Sequence, residues 1–271
     1  MCSVLDIPRS TYYNKINRKP SNRALENKRF KQIIMDIYLK SKKRYGAPKI
    51  TKKIKSLGHK ISIKRVQRLM RTLNIRSIIQ KKFKYYSKSS NYKKGKNILN
   101  RNFKATRINQ KWSTDITYIH TQQDGWCYLA SVMDLFTKKI IGYSFSKNME
   151  TKLTIDALTK AYNQQRPDQE VIIHSDRGSQ YISSLFRNKV KELGLVQSFS
   201  NKGNPYDNAV IESFHATLKK EEVNHRKYYN FKEAYRSIFQ FIESWYNRER
   251  IHSSINYLTP NEFENKLLAA N

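Results

Sequence analysis

From Ser21 to Leu73 the apolar side chains recur at helical spacing, from Ile75 to Lys111 they follow no period, and from Trp112 strand-like alternation takes over. Ser21 to Lys43 reads as an amphipathic helix with Leu25, Phe30, Ile33, Ile34 and Ile37 inward. After a turn at Tyr45 and Gly46, Pro48 suits the first turn of a second helix, with Ile50, Ile54 and Leu57 on one face and Gly58 just past its end. Ser62 can cap a third, in which Val66, Leu69, Met70 and Leu73 face inward while Lys64, Arg65, Gln67, Arg68 and Arg71 face out. A short helix, a glycine turn and a basic-faced helix form the helix-turn-helix pattern, which offers the third helix to a DNA major groove. A small bundle with a solvated basic face is the plainer alternative.

The second half predicts a different architecture. Trp112 to His120 alternates, Asp124 and Gly125 make a turn, and Trp126 to Phe136 and Ile140 to Ser146 complete an antiparallel meander. A helix over Thr151 to Gln165 follows, then a short buried strand at Val171, a helix over Ser179 to Leu193 closed by Gly194, and a strand from Leu195 to Ser200. A polar loop, NKGNPYDN, leads into a helix over Asn208 to Val223. A long amphipathic helix from Phe231 to Arg248, carrying Tyr235, Ile238, Phe239, Ile242 and Trp245, and a last one after Pro260 end the chain. The order βββαβαβα gives an α/β fold, a mixed five-stranded sheet with helices on its faces. The first and fourth strands can then be neighbours.

Charge adds a partner. The chain has 53 Lys and Arg against 21 Asp and Glu, a formal +32, which implies a polyanion and most simply nucleic acid. From Ile75 to Lys111 there are twelve basic residues and no acidic one, interleaved with Phe83, Tyr85, Tyr86, Tyr92 and Phe103. This stretch is expected to be a flexible linker tracking DNA backbone, with Lys81, Lys82, Lys84, Lys93, Lys94 and Lys96 on phosphates. Two cysteines are too few for a disulfide framework, and no run is long and apolar enough for a membrane span, so a cytoplasmic protein is expected. No glycine pattern suggests a nucleotide-triphosphate site.

The candidate chemistry lies in three carboxylates. Asp176 follows the apolar strand in VIIHSDRGSQY, at its C-terminal lip; sixty residues separate it from Asp115 in KWSTDITYIH, and 35 from Glu212 in the helix after the polar loop. If the sheet joins the first two and the helix lays Glu212 across them, the cluster repels itself unless a divalent cation neutralises it, and hard Mg²⁺ or Mn²⁺ suits carboxylate oxygens. Two such ions, about 3.5 to 4 Å apart, supply what phosphodiester attack needs.

The segments WSTDITYI, HSDRGSQY and SNKGNPYDNAVIESFHATLKKE, with the tail YNRERIHSSINYLTP, resemble the retroviral-integrase-type catalytic core of DDE transposases, specifically the OrfB-type subunit of bacterial insertion sequences. The resemblance spans about residues 22–263. It implies a ribonuclease H-like fold and two divalent ions held by Asp115, Asp176 and Glu212, with Asp115 bridging both. It further implies DNA cleavage and strand transfer at inverted-repeat element ends, a homo-oligomer on DNA, and an upstream-frame partner subunit. Ile182 and His215 depart from the residues the family often has. The expected domains are a remnant of an upstream helical segment over 1–20, a helix-turn-helix over 21–74, the linker over 75–110, the catalytic core over 111–225 and a helical extension over 226–271.

Around the acids, Asn208 and Lys219 share the helical face of Glu212 and are expected to meet phosphates, with capping or solvation the plainer role. His174 either touches substrate or packs in its strand. Arg177 either binds DNA or pairs with an acid. Tyr246, Asn247, Arg250 and His252 form a polar cluster with no role derivable from spacing. The competing readings are a DNA-binding regulator without catalysis and a metal-dependent ribonuclease H-like nuclease.

Overall fold

Serine caps and apolar stripes coincide at two of the three expected N-terminal helices, and the helix between them opens on Pro48. The computed structural model describes residues 1–271 apart from 1, 3, 5, 18, 80–97, 100, 101, 201–207, 270 and 271, and the chain divides into two units, Met1–Gln80 and Lys81–Asn271. In the first, helix α1 (Arg9–Ile16) buries no residue. Helix α2 (Asn22–Lys40) starts where Ser21 Oγ accepts from the Ala24 amide and buries Phe30, Ile34 and Tyr38, while Leu25 points to solvent. Helix α3 (Ala47–Ser56) has Pro48 in its first turn and buries Ile50, Thr51 and Ile54. Gly58, at φ +84°, makes the turn that follows, in a region where a Cβ is strained. Helix α4 (Ile63–Thr72) is capped by Ser62 and inserts Val66, Leu69 and Met70 into the same small core.

The second unit is built on one five-stranded sheet of order β3-β2-β1-β4-β5, with β1 at Lys111–Thr121, β2 at Gly125–Asp134, β3 at Ile140–Ser146, β4 at Ile172–Ser175 and β5 at Val196–Phe199. The first three form the antiparallel meander, and β4 runs parallel to β1 over Lys111–Ser113 and parallel to β5. Strand alternation then sorts the side chains. Trp112 and Ile116 of β1 join Ala130 and Val132 of β2 in a core with helix α5 (Thr151–Gln165), whereas Ser113 and Asp115 face the other way. Gly142 of β3 lets α5 approach, because a Cβ there would lie 2.4 Å from the Ala157 carbonyl oxygen and 2.5 Å from the Ala161 nitrogen.

Three expectations change. The helix expected over Ser179 to Leu193 is two, α6 (Ser179–Ile182) and α7 (Ser184–Glu192), because Ser183 is extended and caps α7 through the Phe186 amide. The described ends of the expected linker are built into the units rather than free. Ser77 Oγ donates to the Arg44 carbonyl and the Ile78 amide to that of Lys43, while beyond the undescribed stretch Leu99 is buried and both the Ile98 and Leu99 amides donate to Ser198 Oγ. A basic segment can still satisfy its backbone against a sheet edge, which charge counting does not reveal.

The tail follows α8 (Ala209–Glu221). Helix α9 (Phe231–Phe239) continues as a π-helical segment over Gln240–Tyr246, with the Asn247 amide bonded to the Ile242 carbonyl. The wider turn rotates the buried face, so Phe241, Ile242, Trp245 and Tyr246 lie inside and Tyr235 and Phe239 are exposed, against the uniform 3.6-residue period expected. The last helix, α10 (Pro260–Leu268), opens with a capping box between Thr259 and Glu262. Among the described residues no helix is long and apolar enough to cross a membrane.

Candidate active site

Parallel pairing of β1 with β4 brings together two acids that lie far apart in sequence. Asp115 sits two residues beyond Ser113, which pairs with His174, and Asp176 follows the last residue of β4. Gly178 turns the chain immediately afterwards, and its amide donates to Asp176 Oδ1 at 2.9 Å. Burial, then the Asp115 charge, pushes the Asp176 carboxyl up to about 6.

Helix α8 lies across the same face. Its entry residue Asn208 is buried and accepts from Ser113 Oγ at 2.8 Å, and two turns on, His215 stands 2.7 Å from Ser131 Oγ by Nε2 and 3.3 Å from Asp115 Oδ2 by Nδ1. These contacts fix the helix over β1 and β2. Glu212, in the first turn of α8, is partly exposed; burial, then the charges of Asp115 and Asp176, pushes it up to about 7. The Asp115 charge thus bears on both Asp176 and Glu212. Among the described residues no three His, Cys, Asp or Glu side chains stand close enough as placed to hold an ion.

The surrounding groups are mostly donors. Tyr181 is buried with its hydroxyl 3.2 Å from Thr114 Oγ, and burial, then Asp115 and Asp176, holds the phenol well above its usual range, so it stays protonated. Lys219 stands 4.1 Å above the Tyr118 ring; burial lowers its ammonium while Asp115 opposes that effect. Lys219 thus lies two turns from Glu212 and within the field of Asp115.

The other expected residues fall into three groups. Asn208 packs against Ser113 instead of lying open to phosphates, and His174 is buried, with Nδ1 3.0 Å from Ser198 Oγ and its ring edge-on to Phe103, which makes it a strand residue holding β4 to β5. Arg177 Nε donates to the Ser200 carbonyl. In the helical unit Lys64, Arg68 and Arg71 are exposed as expected, but Arg65 bonds to Asn27 and Glu26 of α2 and lies over the Phe30 ring. Its long stem favours that neighbour over solvent. Lys81, Lys82, Lys84, Lys93, Lys94 and Lys96 lie outside the described residues.

One group at the site was not singled out by sequence: Tyr181, which lies in the HSDRGSQY segment. His215 stood out only as a departure from the family pattern; its spacing of three residues from Glu212, which puts it on the same helical face, was the signal for its place at the site. The polar cluster of the tail is structural. Arg250 pairs with buried Glu221 at 3.0 Å, and Asn247 bonds both the amide and the carbonyl of Ile140.

The family described as "Integrase core domain" matches residues 105–205, a second of the same description matches 193–260, and "HTH-like domain" matches 25–83. The chain is 38% identical over 250 residues to the transposase for insertion sequence element IS904 of Lactococcus lactis, covering 92% of this chain and 98% of that protein. It is also 38% identical over 275 residues to transposase InsF for insertion sequence IS3A of Escherichia coli, covering 99% and 94%. The HTLV-2 integrase catalytic core domain in complex with magnesium superposes with a TM-score of 0.43 at 16% identity, over 57% of this chain and 95% of that one.

Proposed function

The chain belongs to the transposases of bacterial insertion sequences that carry an integrase core, and from that premise we propose that it cleaves DNA strands at element ends and joins them to target DNA with the help of divalent metal. Asp115, Asp176 and Glu212 are the proposed ligands and catalytic residues. What supports the reading is the meeting of the acids at the β1–β4 junction, where burial, then the neighbouring carboxylate charge, pushes Asp176 to about 6 and Glu212 to about 7.

The residues fit Mg²⁺ or Mn²⁺. All three are hard oxygen donors, and Glu212, on three side-chain torsions from α8, can close on the Asp pair. Bound ions would activate the attacking oxygen, a water for nicking or a DNA 3′-hydroxyl for joining, and stabilise the leaving oxygen. The protein's own part is orientation. His215 and Ser131 hold Asp115, the Gly178 amide holds Asp176, and the Ser113–Asn208 bond anchors the start of the helix that carries Glu212. Lys219 is positioned to take a phosphate beside the pair. The enzyme is expected to work as a homo-oligomer on DNA.

The decisive assay incubates the protein, with the element's upstream-frame subunit supplied, with duplex element ends and Mg²⁺ or Mn²⁺. Asp115→Asn, Asp176→Asn and Glu212→Gln should each abolish joining while DNA binding persists, since each removes a ligand charge and none removes a DNA contact. Undiminished joining by any one of them would sink the assignment.

A further inference from the structure

Three aromatic rings crowd the tip of the β1–β2 hairpin without being buried. Tyr118 is 56% and Trp126 53% exposed, and Trp126 meets Tyr118 edge-on at 5.2 Å and His120 at 5.0 Å. Cross-strand register places His120 opposite Trp126, so the rings share one face of the ribbon. A large aromatic left in water forgoes the gain that burial would bring. Two adjacent ones on a rigid hairpin therefore mark a surface that something else covers.

Position identifies the occupant. Tyr118 lies three residues beyond Asp115, roughly 10 Å along the strand. β4 pairs with β1 only as far as Ser113, and Lys219, from α8 on the opposite face, reaches across that uncovered edge to stand 4.1 Å over the Tyr118 ring. The patch is thus joined by one ammonium to the acidic pair. The chain's +32 excess favours a polyanion there. The rings carry a hydroxyl, an indole N–H and an imidazole rather than aliphatic groups, which suits a flat, polar-edged, anion-bearing partner.

We propose that Tyr118 and Trp126, supported by His120, form a stacking platform for an unpaired nucleobase of the DNA whose phosphate lies at Asp115 and Asp176. The inference rests on the strand-transfer reading for its location but not for its test. Base stacking on aromatic side chains tolerates any sequence, because every base has a π-face. It suits a strand end that must leave the duplex to present its phosphate. The platform therefore contributes strand separation and affinity, while the exposed face of α4 is left to read sequence.

Fluorescence tests this directly. Of the three tryptophans, Trp112 and Trp245 are 0% and 5% exposed, so quenching by added DNA reports Trp126. The full chain is titrated, without metal and at raised salt to screen phosphate attraction, with oligothymidylate, with an abasic strand of the same length, and with a hairpin duplex. Oligothymidylate should quench strongly, the abasic strand and the duplex little. Read by the fluorescence anisotropy of end-labelled oligothymidylate, which needs no tryptophan, Trp126→Leu and Tyr118→Leu should each bind roughly 5- to 150-fold more weakly, and Trp126→Phe should restore most of the affinity. Equal quenching by the abasic strand, or unchanged affinity in both leucine variants with unaltered circular dichroism, overturns the platform. The titration contains no metal and reads no joining, so a failed platform and a failed catalytic assignment give different results.

Discussion

If the β1–β4 junction is built for charge that it does not itself balance, removing one carboxylate should stabilise the metal-free protein while it destroys the chemistry. Asp176→Asn is the cleanest perturbation, because asparagine keeps an oxygen for the Gly178 amide 2.9 Å away. Asp176 is raised from 3.8 to about 6 in the folded chain. The native state therefore holds its proton to higher pH than the unfolded chain does, and stability falls as pH rises from about 4 to about 6, with the whole cost present above that. About 2 pH units at about 1.4 kcal/mol each is on the order of 3 kcal/mol. Part of that is shared with Asp115, so 2–3 kcal/mol is the expected gain of the variant at pH 8, shrinking toward zero near pH 4. Glu212 titrates in the same sense at about 7, but being partly exposed it contributes less. In a domain of this size about 2–4 °C accompanies each kcal/mol, so melting in chelator at pH 8 should rise by several degrees. Saturating Mg²⁺ should reverse the order: at one hundred times Kd it adds about 2.7 kcal/mol to the parent and little to a variant lacking a ligand. A variant no more stable than the parent at pH 8, or a difference that does not change with pH, would refute the reasoning.

Other outcomes follow from individual contacts. Arg65→Ala should lower the stability of the helical unit by roughly 1–3 kcal/mol, the value of hydrogen bonds to a charged donor, whereas Lys64→Ala, Arg68→Ala and Arg71→Ala should leave melting unchanged and reduce discrimination between element-end and random DNA; the opposite pattern would assign Arg65 to DNA. Gly142→Ala places a methyl where the α5 backbone stands 2.4 Å away, and overpacking of that kind should cost about 1–3 kcal/mol or more in urea unfolding. Arg250→Met leaves the Glu221 carboxylate buried beneath the tail without its guanidinium, so a loss of about 3–5 kcal/mol is expected by the same measurement.

Much of the architecture could be read directly from residue order. Ser21, Ser62, Pro48 and Gly58 mark helix ends by local chemistry that needs no tertiary partner, and alternation from Trp112 onward, with a glycine turn at Gly125, specifies a meander and sorts its side chains onto two faces. The pairing of β1 with β4 was open to inference because βαβ topology admits few alternatives. What sequence leaves undecided depends on neighbours distant along the chain. Arg65 and Arg68 look alike in a helical projection, and it is Asn27 and Glu26 on α2 that take one of them out of solvent. His174 and Asp176 point the same way by strand parity, yet Ser198 of β5 captures the histidine while the aspartate passes the strand end into the cleft. The exposure of Tyr118 and Trp126 is of the same kind, for their alternation is that of any buried strand. Local sequence determines which conformation a segment prefers; whether a side chain is covered, paired or left facing solvent is decided by which other segment folds against it.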